Sequence, residues 1–310
     1  MPTYVLPSPR SPPTGATENT HARNMSSSRL PHGTKHLMLG LLIGTAYGVA
    51  LSGLWRNKDV IWPKQREAVR PRVICFGDSL TQFGFDPERL GWLALLAHWW
   101  ERRFDVVNRG YSGYNTRWLL PLVDRLFVPG GAAPVKLVTV FLGANDCVLP
   151  GNAQHVPLEE YKANLRQMVA HISAVHPDAR VMFIAPPPIH ERKWMEHRDF
   201  QARQMDRQQE VTMSYATACA EVGKEIGVKV VNAYQLMGSG DQALADGYLH
   251  DGVHFTAAGN RKLFEGVKSE ILLSFPELDP ELENGEASMQ CPHFSEIDPT
   301  DPTKSVLKGL

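Results

Sequence analysis

The chain has 310 residues, 43% of them hydrophobic and 21% charged, a balance that builds a buried core and excludes a disordered chain or a disulfide-stapled miniprotein. Its formal net charge is -1, so no long-range positive field draws it to nucleic acid, and nucleic acid is not expected as a partner. The charge is unevenly placed: residues 1–72 carry ten Lys or Arg against three acids, and residues 276–310 carry eight acids against two Lys.

Residues 1–36 are basic and rich in Pro, Ser and Thr, a composition that cannot build a core and predicts disorder. From Leu37 to Trp55 runs LMLGLLIGTAYGVALSGLW, uncharged and long enough as a helix to cross about 30 Å of hydrocarbon. Three readings stay open for this segment: a retained signal anchor, a cleaved signal peptide, or an organellar presequence followed by an apolar stretch. Its length, and Trp55-Arg56 at its end where a cleavage site would need small residues, point to retention and to membrane association through residues 37–55. Gly40, Gly44, Gly48 and Ser52 share one helical face, which would allow a close helix contact. Residues 56–69 read as a linker, 70–275 as the packed domain, and 276–310 as an acidic, disordered tail.

Inside the packed domain, short β-branched or aromatic blocks at Val73 to Phe76, Asp105 to Asn108, Leu137 to Leu142, Val181 to Ala185 and Val228 to Asn232 predict buried strands. Helix-period segments lie near Trp92 to Arg102, Trp118 to Leu126, Arg203 to Ile226 and Ala257 to Ser274. The clearest stripe is Leu158, Tyr161, Leu165, Met168, Ile172 and Val175. Strands alternating with helices of this length imply right-handed crossovers, hence a three-layer α/β/α domain with a five-stranded, mostly parallel sheet. In such sheets ligands bind beyond the carboxyl ends of the strands, which directs attention to the polar residues just after each strand.

Four places stand out. After the first strand comes Gly77-Asp78-Ser79-Leu80, where a hydroxyl can project from a strand-to-loop turn and leave backbone N–H groups facing an oxyanion. After the second comes Asn108-Arg109-Gly110-Tyr111-Ser112-Gly113-Tyr114-Asn115, in which Gly113 lets the backbone approach a ligand. After the third comes Gly143-Ala144-Asn145-Asp146, whose Asn amide can donate to the same anion. Last, Asp251-Gly252-Val253-His254 sets an acid and an imidazole within one turn of each other. Taken singly each is ordinary turn chemistry; their joint occurrence in this order carries the signal.

The four blocks resemble those of the SGNH hydrolases, over almost all of Val73 to Phe275. The stretches VICFGDSLTQFGF, NRGYSGYNTRW, VFLGANDCVLPG and DGVHFTAAGN are similar to the branch of isoamyl acetate-hydrolysing esterases. The resemblance implies a serine carboxylic ester hydrolase that releases short acyl groups from small-molecule esters without a cofactor. Ser79 carries over as nucleophile, and Asp251 and His254 as its triad partners. The Ser79 and Gly113 amides with the Asn145 side chain carry over as the oxyanion hole. The same triad would serve a carbohydrate O-deacetylase, a lysophospholipase or thioesterase, or an acyltransferase. A non-catalytic α/β binding module is the rival from another class, but the chain has neither G-x-G-x-x-G after its first strand nor G-x-x-x-x-G-K-[ST].

Other residues receive plainer readings. Asp78 and Asp146 read as local hydrogen-bond acceptors. Ser112 fails the G-x-S-x-G pattern because Tyr114 stands at its last position. His250 reads as a loop residue, and Met205 and Met213 as one packed helix face. Trp92 and Trp118 are expected in the core, with Trp194 in a polar connection near a pocket wall shaped by Pro186-Pro187-Pro188. A metal pair of His190 and His197 would lack a carboxylate, and Cys75, Cys147, Cys219 and Cys291 form no zinc pattern, so no metal is expected. Cys75 in a strand and Cys219 in a helix read as buried free thiols.

Overall fold

The computed structural model describes residues 70–131, 133–197, 205–282, 285–289 and 291–306. The apolar run 37–55 and the basic segment before it lie outside them. Among the described residues no helix is long and apolar enough to cross a membrane.

The five expected strands form: β1 (Arg72–Gly77), β2 (Asp105–Gly110), β3 (Val135–Phe141), β4 (Arg180–Ala185) and β5 (Lys229–Asn232). They pair in parallel in the order β2-β1-β3-β4-β5. Successive side chains of a strand leave by opposite faces, and the two cores follow from that alternation. On one face Ile74, Phe76, Val138, Val140 and Phe183 pack against α3 (Thr116–Leu126), α4 (Leu158–Val175) and α6 (Gln209–Ile226). On the other, Val73, Cys75, Leu137, Met182 and Ile184 pack against α2 (Trp92–Trp99) and α9 (Ala257–Ser274). Smaller helices complete the chain: α1 (Ser79–Gln82), α5 (Glu191–His197), α7 (Ala233–Leu236), α8 (Gln242–Tyr248) and α10 (Pro302–Val306).

Strand order reverses at β1: β2 lies to one side of it and β3 to the other. The loops after β1 and β3 therefore diverge and open a crevice at the carboxyl edge, where a parallel sheet offers its site.

Several details depart from the sequence expectations, each for a tertiary reason. Helix α6 begins at Gln209 rather than Arg203. The residues before it are used otherwise: Asp206 O accepts from Leu149 N at 2.7 Å, and Arg207 is buried among polar partners described below. Met205 thus precedes the helix and Met213 is 45% exposed on it, so the two form no packed face. Trp92 is fully buried, whereas Trp118 is 40% exposed on α3, edge-on to Tyr114 at 5.9 Å.

The acidic segment is also not a free tail over its first residues. Pro276–Leu278 forms a 3-10 turn with Leu278 fully buried, and Trp100 Nε1 donates to Leu278 O at 2.9 Å. Glu277 and Glu286 meet Arg180 Nη2 at 2.7 and 2.5 Å, and Lys136 Nζ meets Glu286 at 2.6 Å. Two cations at the amino ends of β3 and β4 thus collect the acids, and the packed region extends beyond residue 275. Cys75 in β1 and Cys219 in α6 are buried free thiols, as expected; Cys147, in the turn after β3, is also buried and free, and Cys291 is free.

Candidate active site

Ser79 opens α1 immediately after β1. Asp78 caps that turn, its Oδ1 accepting from Leu80 N at 2.9 Å, which fixes the backbone from which the hydroxyl projects. The side chain of Ser79 meets His254 Nε2 at 2.9 Å, and His254 Nδ1 meets Asp251 Oδ2 at 2.6 Å. One serine, one imidazole and one carboxylate therefore stand in series, drawn from chain positions 175 residues apart.

The Asp251 loop joins α8 to α9 and is held at several points. Leu249 and Phe255 bridge antiparallel, and His250 N donates to His254 O at 2.9 Å. Asp251 Oδ1 accepts the amides of Val253 and His254 at 2.8 and 2.7 Å, leaving Oδ2 for the imidazole. Gly252 has φ +99, and its carbonyl accepts from His190 N at 2.8 Å. A Cβ there would lie 2.5 Å from Trp194 N, so the loop needs glycine for both conformation and contact. Burial pushes the Asp251 carboxyl up, but the hydrogen bond and charge of His254, with the two amides, outweigh it and hold the carboxyl well below the usual carboxylate range. Asp251 is an anion wherever the protein is folded near neutral pH.

Gly113 has φ +81, a left-handed backbone conformation that favours glycine. Among the described residues no backbone hydrogen bond outside the helices and strands takes the Gly113 or Ser79 amide. Asn145 is 4% exposed and donates from Nδ2 to Tyr114 O at 2.8 Å; an amide nitrogen has two hydrogens, so one remains.

Two residues that sequence reasoning missed set this amide. Arg207 is 3% exposed and donates through Nη2 to Asn145 Oδ1 at 3.0 Å and through Nη1 to Ala144 O. Its guanidinium lies 5.1 Å from the centre of the Trp194 ring, and Trp194 Nε1 donates to Asp206 Oδ1 at 2.7 Å. Gln154 Nε2 donates to Gly113 O at 2.7 Å and reaches Asn145 Oδ1 at 3.4 Å, joining two of the three candidate oxyanion donors. With Oδ1 accepting from the Arg207 guanidinium and the Gln154 amide, the Asn145 carboxamide is left with its nitrogen to offer a ligand.

The neighbouring acids have the local roles the sequence suggests. Burial pushes the Asp78 carboxyl up to about 6 against the Leu80 amide and the charges of His254 and Arg207. Burial likewise pushes Asp146 up to about 7 against the hydroxyl and amide of Thr116, both of which it accepts on Oδ1. Asp146 thereby pins the start of α3 behind the Gly113 loop. Ser112 is exposed and engages Gln82 Oε1 by its amide at 2.7 Å; the imidazole goes to Ser79. His190 accepts from Lys193 N on Nδ1 at 3.2 Å, and its Nε2 lies 3.6 Å from Asp246, so it is not paired with His197.

A parallel α/β/α sheet with this polar crevice at its carboxyl edge defines the class, a GDSL/SGNH-type hydrolase. The pattern of the GDSL-like Lipase/Acylhydrolase family matches residues 75–262, and the chain belongs to that family. It is a carboxylic ester hydrolase. A mouse (Mus musculus) protein named isoamyl acetate-hydrolyzing esterase 1 homolog is 44% identical over 199 residues, covering 63% of this chain and 78% of the relative. A GDSL esterase/lipase of Arabidopsis thaliana is 36% identical over 245 residues, covering 76% of this chain and 98% of the relative. A solved structure from Streptococcus pneumonia, described in connection with platelet activating factor, shares the fold. It has a TM-score of 0.51 and 24% identity, covering 73% of this chain and 98% of that one.

Proposed function

We propose that the chain is a serine esterase acting through Ser79, His254 and Asp251, with the Ser79 and Gly113 amides and the Asn145 side chain as oxyanion donors. The observation that carries this reading is the uninterrupted relay from Ser79 Oγ through His254 to Asp251, at 2.9 and 2.6 Å, ending on a carboxylate that stays ionised. His254 takes the Ser79 proton as Oγ attacks the ester carbonyl, and Asp251 holds the imidazole tautomer and stabilises its charged form. The carbonyl oxygen becomes an anion among the three donors. The tetrahedral species collapses, His254 returns the proton to the departing alcohol, and an acyl-serine remains. Water, deprotonated by the same imidazole, releases the acid and restores Ser79.

Donors set in place before reaction do the largest share of such work. Asn145→Ala is expected to lower turnover about 10²–10³-fold with the fold retained. Steady-state kinetics beside circular dichroism measure this, and unchanged turnover with acylation rate-limiting would remove Asn145 from the hole.

Small esters with short acyl groups are the proposed substrates. A small pocket bordered by Leu80, Phe83, Arg89, His250, His254 and Phe255 adjoins the triad at His254 and suits a small substrate group. Phe83 forms an apolar rim 5.4 Å from the His254 ring, edge-on to it. The name of the mouse relative, for hydrolysis of isoamyl acetate, agrees with an acetyl group and a short branched alcohol. On p-nitrophenyl esters from acetyl to palmitoyl, kcat/KM should be greatest at the short end; a maximum on long chains, acyl-thioesters or acetylated sugars would overturn this choice. Membrane association through residues 37–55 belongs to the same proposal. In the same assays the intact chain should sediment with membranes and resist carbonate, whereas a chain beginning at residue 57 should be soluble and equally active. Recovery of the native protein as a soluble species starting after Trp55 would favour cleavage instead.

A further inference from the structure

Arg207 is a buried cation whose hydrogen bonds, among the described residues, reach no anion. They go to two neutral oxygens, Asn145 Oδ1 through Nη2 at 3.0 Å and Ala144 O through Nη1, while Nε is buried without a hydrogen-bond partner. Asp78 feels the charge, but the oxygen it uses is bonded to the Leu80 amide. Burying a charge is costly unless another charge or a set of hydrogen bonds compensates it. The negative charge that does arise next to this group is the transient one on the ester carbonyl oxygen, across the Asn145 carboxamide.

We propose that Arg207 is a positioning residue for ester hydrolysis, which holds the Asn145 carboxamide in its donating orientation and relays positive charge through it to the oxyanion. The role rests on the reading of Asn145 as an oxyanion donor.

The carboxamide is conjugated from oxygen to nitrogen, so a cation on Oδ1 draws electrons from Nδ2 and strengthens its N–H as a donor. The same bond forbids the flipped orientation. Turned over, the carboxamide would set its NH₂ against a guanidinium that can only donate, and its oxygen against Tyr114 O, which now accepts from Nδ2 at 2.8 Å. Because the cation is in place before reaction and shielded from water, it needs no reorganisation as the oxyanion forms.

The guanidinium is itself held. Asp206 O accepts from Leu149 N and Asp206 Oδ1 from Trp194 Nε1, both at 2.7 Å, and the Trp194 ring centre lies 5.1 Å from the guanidinium carbon. Trp194 also abuts the loop of the triad acid, since a Cβ on Gly252 would lie 2.5 Å from Trp194 N. One tryptophan thus touches both the Asp251 loop and the cation behind Asn145. Lysine could not replace that cation in full, because a single ammonium lacks the planar fork that spans Ala144 O and Asn145 Oδ1.

The test is a double-mutant cycle on p-nitrophenyl acetate hydrolysis by the intact chain. It compares parent, Arg207→Met, Arg207→Lys and Asn145→Ala, and each Arg207 change combined with Asn145→Ala, with circular dichroism on every protein. Arg207→Met should lower kcat about ten- to a hundredfold, part of the roughly 10²–10³-fold that loss of the whole donor costs, and shift KM by less than about threefold. Arg207→Lys, which keeps the charge without the fork, should fall between Arg207→Met and parent. In the Asn145→Ala background either change should lower kcat by less than about threefold more, because the residue through which Arg207 acts is already gone. A merely structural arginine would cost the same factor in both backgrounds. Losses that multiply, a rise in KM alone, or parent turnover in Arg207→Met overturn the proposal. If the methionine variant does not fold, Arg207→Lys in the two backgrounds carries the same comparison. Parent turnover in Asn145→Ala overturns the oxyanion reading and this role with it, whereas a crippled Asn145→Ala enzyme with an independent Arg207 loss overturns this role alone.

Discussion

Ser79→Ala is expected to reduce ester turnover by a factor on the order of 10⁶, as loss of a serine nucleophile does elsewhere, and to abolish labelling by an organophosphonate. Ser112→Ala should retain both. The contrast follows from where each hydroxyl sits. Ser79 is nearly buried, 5% exposed, on a turn capped by Asp78, and its Oγ is 2.9 Å from an imidazole that is itself held by an anion. Ser112 stands exposed on the Gly113 loop, tied through its amide to Gln82. A serine hydroxyl is a weak nucleophile unless a base takes its proton, so only Ser79 can be phosphonylated at a useful rate. Mass spectrometry of the labelled peptide decides it. Label on Ser112, or an active Ser79→Ala protein, would remove the mechanism proposed above.

The parts of this site that were legible in the sequence are those that strands and short loops place by themselves. A parallel strand buried on both faces must be a short apolar block, so β1 to β5 could be read almost to the residue. Ser79, Gly113 and Asn145 each follow such a block. Asp251 and His254 lie within one turn, so their pairing is a local event that survives any ambiguity in topology. Arg207 was not legible for the opposite reason. It lies 62 residues from the Asn145 oxygen it donates to, in a segment whose apolar spacing suggests helix, and nothing local distinguishes it from a surface arginine. Gln154 is equally silent in sequence, because its amide matters only once the Gly113 loop is 41 residues back and within reach.

The same logic explains the acidic segment and Trp118. Eight acids against two lysines describe a disordered tail until Arg180 and Lys136, about 100 or more residues earlier, are known to stand where Glu277 and Glu286 pass. Trp118 resembles core by composition, but α3 starts at Thr116 under the Asn115 cap, and that start turns Leu119 and Val123 inward and the indole out. Local pattern gave the elements; the partners that tune the site came from distant chain.

Asp251→Asn and His254→Ala should each cripple hydrolysis, by different routes. His254→Ala removes the proton acceptor outright. Asp251→Asn keeps the shape: its oxygen can still accept the Val253 and His254 amides, which now bond Oδ1 at 2.8 and 2.7 Å. The amide nitrogen would then replace Oδ2 opposite His254 Nδ1, and since it can only donate, it favours the tautomer with hydrogen on Nε2. That hydrogen faces Ser79 Oγ, and the imidazole has no lone pair there to take the serine proton. A drop of about 10⁴ in turnover is expected on this ground, with near-parent circular dichroism. The pH dependence separates the two groups. In the parent, the Asp251 carboxyl is depressed below its unfolded value, so the stability it contributes is full above the ordinary carboxylate range and fades only as pH falls through that range toward the folded value. It therefore cannot produce an activity loss at mildly acidic pH. A general base must be unprotonated to act, so kcat/KM should fall on acidification while the fold, followed by circular dichroism, stays intact. Comparing this profile and the Ser79 labelling rate in parent and His254→Ala gives the decision. If the variant keeps the parent's activity together with its acidic limb, His254 is not the base, and His250, whose ring stacks on it at 6.1 Å, becomes the residue to replace next.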